Sequence, residues 1–170
     1  MIIETKRLRI RHLTEQDAAF ALKLYNTAPF LRFVGDKSLT TEEQARKYLL
    51  DGPIKMYQTN GIGLYLVELK RCNSPIGICG LIKRDTLNDI DIGYGFLPDY
   101  FKQGYGYESA RAVMTFGKNE LELDKLVAIT TSDNTNCIKL LSRLGLRFVQ
   151  NIEEPKNQPA LGLYEITFET

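Results

Sequence analysis

Residues 98–110 read PDYFKQGYGYESA. Ahead of them Ile90 to Leu97 (IDIGYGFL) has the β-branched and aromatic character of a strand. Behind them Ala110, Val113, Met114 and Gly117 fall at i, i+3, i+4 and i+7, so a helix fits from Tyr105 to about Asn119. A strand therefore runs through a glycine-bearing loop into a helix. The first amides of a helix are unpaired and carry the positive end of its dipole, and glycine lets an anion approach the backbone closely. A phosphate site is the functional reading. The plain reading is a strand-to-helix turn that uses glycine for positive φ, and Gly-x-Gly by itself leaves both open. A P-loop fails, because Gly106 is followed by Tyr107 and not by Lys-Ser/Thr. A dinucleotide fingerprint matches poorly: Ser109 stands where its third glycine belongs, and six residues separate Leu97 from Gly104.

Working outward, Leu8 and Ile10 alternate with Arg7, Arg9 and Arg11, which predicts a half-buried strand over 6–12. Thr14 with Asp17 resembles a capping box opening a helix to about Asn26, and Thr40 and Thr41 with Glu43 and Gln44 open a second. Residues 29–36 read as the loop between them. Gly63–Leu69 and Pro75–Lys83 read as two further strands before Ile90–Leu97. After the central helix come a strand at Lys125–Thr130 and a short helix capped by Asp133 or Asn134. In that helix Cys137, Leu140, Leu141 and Leu144 share a face and Gly145 ends it, before closing strands at Leu146–Asn151 and Leu161–Glu169. The order β-α-α-β-β-β-α-β-α-β-β is that of an α+β fold with helices packed on a mixed sheet. Gly93 and Gly95 inside a strand point to a bulge or to the close approach of another backbone or a ligand.

The chain of 170 residues reads as one domain, 1–170, with no linker or repeat. Twenty-two basic against twenty-one acidic residues give a net charge of +1, which disfavours direct nucleic-acid binding. One histidine, His12, excludes multi-histidine metal sites, and Cys72, Cys79 and Cys137 fall at no metal-ligand spacing. The three cysteines suit a reducing compartment, and no apolar run approaches the ~20 residues of a membrane span, so the expected setting is cytoplasmic.

Three patches resemble the GNAT superfamily of N-acetyltransferases, within it the branch of the ribosomal-protein alanine acetyltransferases. They are RLRIRHLTEQD (7–17), GYGFLPDYFKQGYGYESA (93–110) and SDNTNCIKLLSRLGLRFV (132–149), the last with Leu146 in place of the family's Phe. The resemblance implies a GNAT-type mixed, mostly antiparallel twisted sheet with splayed central parallel strands and about four helices. It implies acetyl-CoA as cosubstrate, no metal, and direct acetyl transfer to a primary amine, either a protein N-terminus or a small molecule. The enzyme would act as a monomer or homodimer. By the same resemblance Phe96 and Leu97 would meet the pantetheine arm, and the amides of Lys102, Gln103, Gly104, Tyr105, Gly106 and Tyr107 the pyrophosphate. Asn134 would reach the pantetheine, while Lys139, with Lys102 and Arg143, is placed to pair with phosphates. Splayed strands leave backbone groups unpaired until a ligand pairs them. A bulge at Gly93 and Gly95 would open the sheet and leave an amide near Phe96 for the thioester oxygen.

Asp91 occupies the family's carboxylate position on the strand before the loop and is the candidate base. Asp89 and Asp85 nearby would make an acidic mouth that draws a cationic amine. Many GNAT enzymes have a Tyr seven residues after the Asn, where this chain has Leu141. Cys137 stands where the ribosomal branch has Ser, and is the candidate acid for the leaving thiolate, with core packing the plain alternative. Three rivals stand beside the enzyme: a CoA-binding GNAT-like module with little turnover, acting as a sensor or partner; a nucleotide-binding α/β domain; and a ribosome-associated binding protein, against which the near-neutral net charge speaks.

Overall fold

The computed structural model describes residues 2–152 and 160–169. The strands are β1 (Ile2–Glu4), β2 (Leu8–His12), β3 (Leu64–Leu69), β4 (Pro75–Ile82), β5 (Asp91–Phe96), β6 (Lys125–Thr131), β7 (Arg147–Ile152) and β8 (Leu161–Thr167). The helices are α1 (Ala18–Tyr25), α2 (Ala28–Phe33), α3 (Glu42–Leu49), α4 (Lys55–Asn60), α5 (Tyr105–Asn119) and α6 (Thr135–Leu144). The expected order holds, with β1, α2 and α4 added to it. Both capping boxes form: Thr14 with Asp17 before α1, and Thr41 with Gln44 on α3. A π-turn at Leu50–Ile54 joins α3 to α4 and contains Pro53, which cannot supply a helical amide. Gly145 closes α6 at φ +95°, the left-handed cap read from the sequence.

One sheet runs β1-β2-β3-β4-β5-β6-β8-β7. Every neighbouring pair is antiparallel except β5 and β6, which lie parallel. That pair meets at a single position, Asp91 opposite Val127, where the Val127 amide donates to the Ile90 carbonyl at 3.0 Å. β6 then leaves β5 and stays with β8 over seven residue pairs. The parting of these two strands makes the cleft.

The expected bulge at Gly93 and Gly95 does not form. β5 keeps an unbroken register with β4, from Gly77 opposite Phe96 to Ile82 opposite Asp91. The glycines serve packing instead. A Cβ on Gly95 would lie 2.9 Å from the Phe30 ring, which α2 brings against the strand. The sheet opens because β6 departs, not because β5 bends.

Alternation of side chains divides the core in two. On one face Tyr65, Cys79, Leu81 and Ile92 pack with Ala110 and Val113 of α5 and Leu141 of α6. On the other, Leu66, Ile78 and Leu97 pack under Ala21 and Leu24 of α1, Phe30 of α2 and Ala45 and Leu49 of α3. Neither helix layer closes the cleft between β5 and β6.

Candidate active site

A cavity of about 380 Å³ occupies the split between β5 and β6 and is lined from both faces of the sheet. On the α5–α6 side it meets Tyr94, Asn134 and Cys137; on the α2 side it meets Phe30, Arg84 and Asp91. It therefore passes through the sheet, and two reactants can enter from opposite faces.

The glycine loop lies on the α5–α6 side. Lys102 (φ +60°) and Gly104 (φ +85°) are both left-handed, which turns successive amides toward one side, as in an anion-binding nest. The amides of Lys102 to Tyr107 find no acceptor among the described residues, and α5 begins at Tyr105 with its dipole directed at the same point. Gly106 lets α5 approach α6 closely: a Cβ there would lie 3.2 Å from the Leu140 side chain, with Phe96 of β5 at an ordinary 3.8 Å.

Arg7 holds this loop from behind. Its Nη1 donates to the Gln103 carbonyl at 2.9 Å, its Nε donates to Glu108 Oε2 at 2.8 Å, and its guanidinium stacks 4.3 Å over the Tyr105 ring. Glu108 sits in the first turn of α5, where its charge would oppose an incoming anion. Arg7 neutralises it. A partner 101 residues away leaves no local signal in sequence. On the other side of the loop the Gln103 side chain donates to the Asp99 carbonyl, and Tyr107 lies between Arg111 and the Arg143 guanidinium, which stacks on it at 4.6 Å. Arg143, a candidate phosphate partner, is thus committed to Tyr107, while Lys102 and Lys139 are exposed.

Along β5 the pairing alternates. The Leu97 amide donates to the Ile76 carbonyl of β4, and the Leu97 carbonyl accepts from Tyr100. Leu97 therefore has no spare backbone group and offers only a buried side chain. By alternation Tyr94 and Phe96 turn their amides and carbonyls away from β4, to the edge that β6 has left. Asn134 spends its Oδ1 as the cap of α6, accepting from the Cys137 amide at 3.3 Å, and its Nδ2 has no acceptor among the described residues.

Tyr94, read in sequence only as part of the glycine-flanked strand, carries a phenol 3.0 Å from the Cys137 sulfur. Burial, with Cys137 close by, pushes its pKa far above the ordinary tyrosine value, so the hydroxyl keeps its proton. Leu141, which replaces the family's acid, is wholly buried beside this pair.

On the opposite face Asp91 is 1% exposed. Its Oδ2 accepts from Arg84 Nε at 2.5 Å, and its Oδ1 is buried with no partner among the described residues. Burial raises its pKa to about 6 against the pull of Arg84. The acidic mouth expected from Asp85 and Asp89 is not there. β5 starts only at Asp91, so both lie in the preceding loop and neither lines the cavity; the charges that join Asp91 are Lys37 and Arg84. Arg84 was not anticipated, although its seven-residue separation across a turn from a buried Asp was the available signal.

A strap of parallel strands splayed over a glycine-loop helix start defines the GNAT fold, and comparison with known proteins agrees. The family model for the GNAT acetyltransferase domain matches residues 7–147. Curated relatives include the uncharacterized protein YkkB of Bacillus subtilis, 28% identical over 169 residues (95% of this chain, 92% of the relative). Another is the uncharacterized N-acetyltransferase YoaA of the same organism, 26% identical over 148 residues (86% and 82%). Among solved structures, the ribosomal L7/L12 α-N-protein acetyltransferase RimL, in a coenzyme A complex with a CoA–cysteine disulfide, superposes with a TM-score of 0.86. It is 20% identical, with 98% of each chain covered. A GNAT-family acetyltransferase from Bacillus anthracis gives 0.81 at 23% identity, again over 98% of each chain.

The chain belongs to the GNAT acetyltransferase family.

Proposed function

We propose that this protein transfers the acetyl group of acetyl-CoA to a primary amine, the two reactants entering the cleft from opposite faces of the sheet. The observation that carries this reading is the cavity in the split between β5 and β6, lined from both faces of the sheet, with a buried carboxylate oxygen on the α2 side that has no partner among the described residues; the glycine loop with its unpaired amides lies outside that lining, at the start of α5. Acetyl-CoA supplies an acyl carbon activated by its thioester. The amides of Lys102 to Tyr107 fit a pyrophosphate, and the open edge of β5 at Tyr94 and Phe96 fits an amide-bearing arm. Asp91 Oδ1 takes a proton from the acceptor ammonium. The freed amine forms the new C–N bond, the attacking nitrogen sheds its second proton to solvent, the C–S bond breaks, and the departing thiolate takes a proton from the Tyr94–Cys137 pair, which solvent then reprotonates. An amide on the open edge of β5 stabilises the charge that develops on the carbonyl oxygen. The disulfide in the RimL complex shows a cysteine of that enzyme within reach of the coenzyme sulfur; on this reading Cys137, the one described cysteine lining this cavity, would make the same approach.

Thermal unfolding with acetyl-CoA, NAD and ATP in parallel tests the donor. At 100 times its dissociation constant a ligand stabilises by about 2.7 kcal/mol. A shift with acetyl-CoA alone is expected; a larger shift with NAD or ATP would remove the assignment. Thiol release across an amine panel then separates an enzyme from a CoA-binding module.

Two predictions bear on the donor side. Arg7→Ala should raise the Kd for acetyl-CoA about tenfold, because an unneutralised Glu108 then faces the phosphates, while kcat changes little. Arg7→Lys should recover part of the loss by restoring the charge without the stack. An unchanged Kd in both variants would make Arg7 a surface contact. Tyr94→Phe and Cys137→Ala should each slow thiolate departure, by about tenfold or more for Tyr94, and Cys137→Ser should retain most of the rate. Wild-type single-turnover rates in all three would mark the pair as packing.

A further inference from the structure

The charges at the acceptor end say what else the amine must carry. We propose that the acceptor is a free amino carboxylate with an apolar body, an amine whose carboxylate lies a few bonds from the nitrogen. This deepens the acetyl-transfer reading and rests on it.

Two side chains at the acceptor end each present an unused half. Asp91 gives Oδ2 to Arg84 and keeps Oδ1 buried, with no partner among the described residues. Arg84 gives Nε to Asp91, and its two terminal nitrogens donate to no acceptor among the described residues. Its side chain is 41% exposed, so the guanidinium spans from the buried carboxylate to the open mouth. An ammonium against Asp91 Oδ1 and a carboxylate against the free edge of Arg84 would complete both, and guanidinium is the side chain suited to a forked carboxylate contact. Since Asp91 and Arg84 touch each other, their complement is a molecule whose two charges also lie close together.

The surroundings favour the same ligand. Lys37 is the other charged residue that lines the cavity, so the charged lining sums to +1. Such a mouth repels a polyamine and attracts an acid. Phe33, Val34, Leu64, Ile78 and Ile82 form apolar walls, which fit an aliphatic or aromatic side chain. A protein N-terminus continues as an amide where the free carboxylate would sit, and leaves Arg84 unfilled.

The test compares matched acceptors with acetyl-CoA as donor: leucine, leucinamide and 3-methylbutylamine, with the phenylalanine series alongside, followed by product mass. The carboxylate should have kcat/KM at least about tenfold above its amide and its decarboxylated amine, the scale of one charge-assisted hydrogen bond. Arg84→Gln should bring that ratio close to one. The ratio is taken within each variant, so any change in Asp91 basicity cancels. Lys37→Ala, which removes one of the two cations lining the cavity, should lower the ratio by a few-fold. A wild-type ratio of one or below, or an Arg84→Gln ratio equal to the wild type's, overturns the proposal. So does thermal stabilisation by acetyl-CoA without turnover of any amino carboxylate, an outcome that leaves the donor site standing. Preferred acetylation of a peptide N-terminus assigns the cleft to proteins instead. If acetyl-CoA gives no stabilisation, the donor reading fails and this inference falls with it.

Discussion

Asp91→Asn should lower kcat by about 10²–10⁴-fold, the range that general base help supplies, and leave the Kd for acetyl-CoA unchanged. Asparagine has the shape of aspartate, and its side-chain oxygen can still accept from Arg84. What it lacks is the ability to take a proton. Burial raises the pKa of Asp91 to about 6 even with Arg84 pulling it down, so wild-type kcat/KM should rise as pH passes through about 6, and that limb should vanish in the variant. Unchanged turnover with an unchanged pH profile would remove Asp91 from the chemistry. The same group sets a stability prediction. Its folded pKa lies above the ordinary 3.8, so its favourable contribution is full below that value and is lost as pH rises through about 6. At pH 8 the ionised carboxylate is a liability of up to about 3 kcal/mol, at about 1.36 kcal/mol for each pH unit separating the two values. Asp91→Asn should therefore melt higher than wild type at pH 8, with the gap closing toward pH 4. A variant less stable than wild type at pH 8 would show instead that the Arg84 pair outweighs the burial. The exchange expected here, stability for activity, is the usual mark of a group held in place for its chemistry.

The parts of this molecule that local rules govern could be read along the chain. Both capping boxes, the Gly145 cap, the bounds of α5 and the glycine loop follow from residues within a few positions of one another. What escaped was set by contacts that cross the fold. α2 falls where the sequence reads as loop: it is only six residues long, too short for helical periodicity to show, and Pro29 in its first turn is the usable signal. Gly93 and Gly95 were rightly singled out, but for a bulge, because nothing in sequence says that the Phe30 ring will cover Gly95. Asp91 and Cys137 stood at positions that the family resemblance marks. Their partners did not: Tyr94 meets Cys137 only across the splayed strands, and Arg84 turns back on Asp91 from the loop before β5. The site's charge was misjudged for the same reason, since acidic residues near Asp91 in sequence do not face the cavity and a lysine 54 positions upstream does.

Gly104→Val should weaken acetyl-CoA binding by about 100-fold or more while the unliganded protein stays folded. Gly104 sits at φ +85°, where a β-branched residue is strained, and a Cβ there would lie 3.2 Å from Arg7 Nη2. The loop is exposed and short of backbone bonds, so it relieves the strain by turning, not by unfolding α5, which the buried Tyr105, Ala110, Val113 and Met114 anchor along its length. Turning the loop scatters the amides of Lys102 to Tyr107, and losing two charge-assisted hydrogen bonds at ~1.5–3 kcal/mol each accounts for a loss of that size. The variant's far-ultraviolet spectrum should match the wild type's, and its unliganded Tm should fall by only a few degrees. A wild-type Kd for acetyl-CoA would refute the pyrophosphate assignment. A truncated donor separates damage to this loop from damage to the whole cleft: acetylpantetheine has the thioester and the arm but no pyrophosphate. Its kcat/KM should be the same in wild type and Gly104→Val, and acetyl-CoA should fall in the variant to about the level of the truncated donor. A parallel loss with both donors would place the harm in the cleft between β5 and β6, and the role of the loop would then be structural.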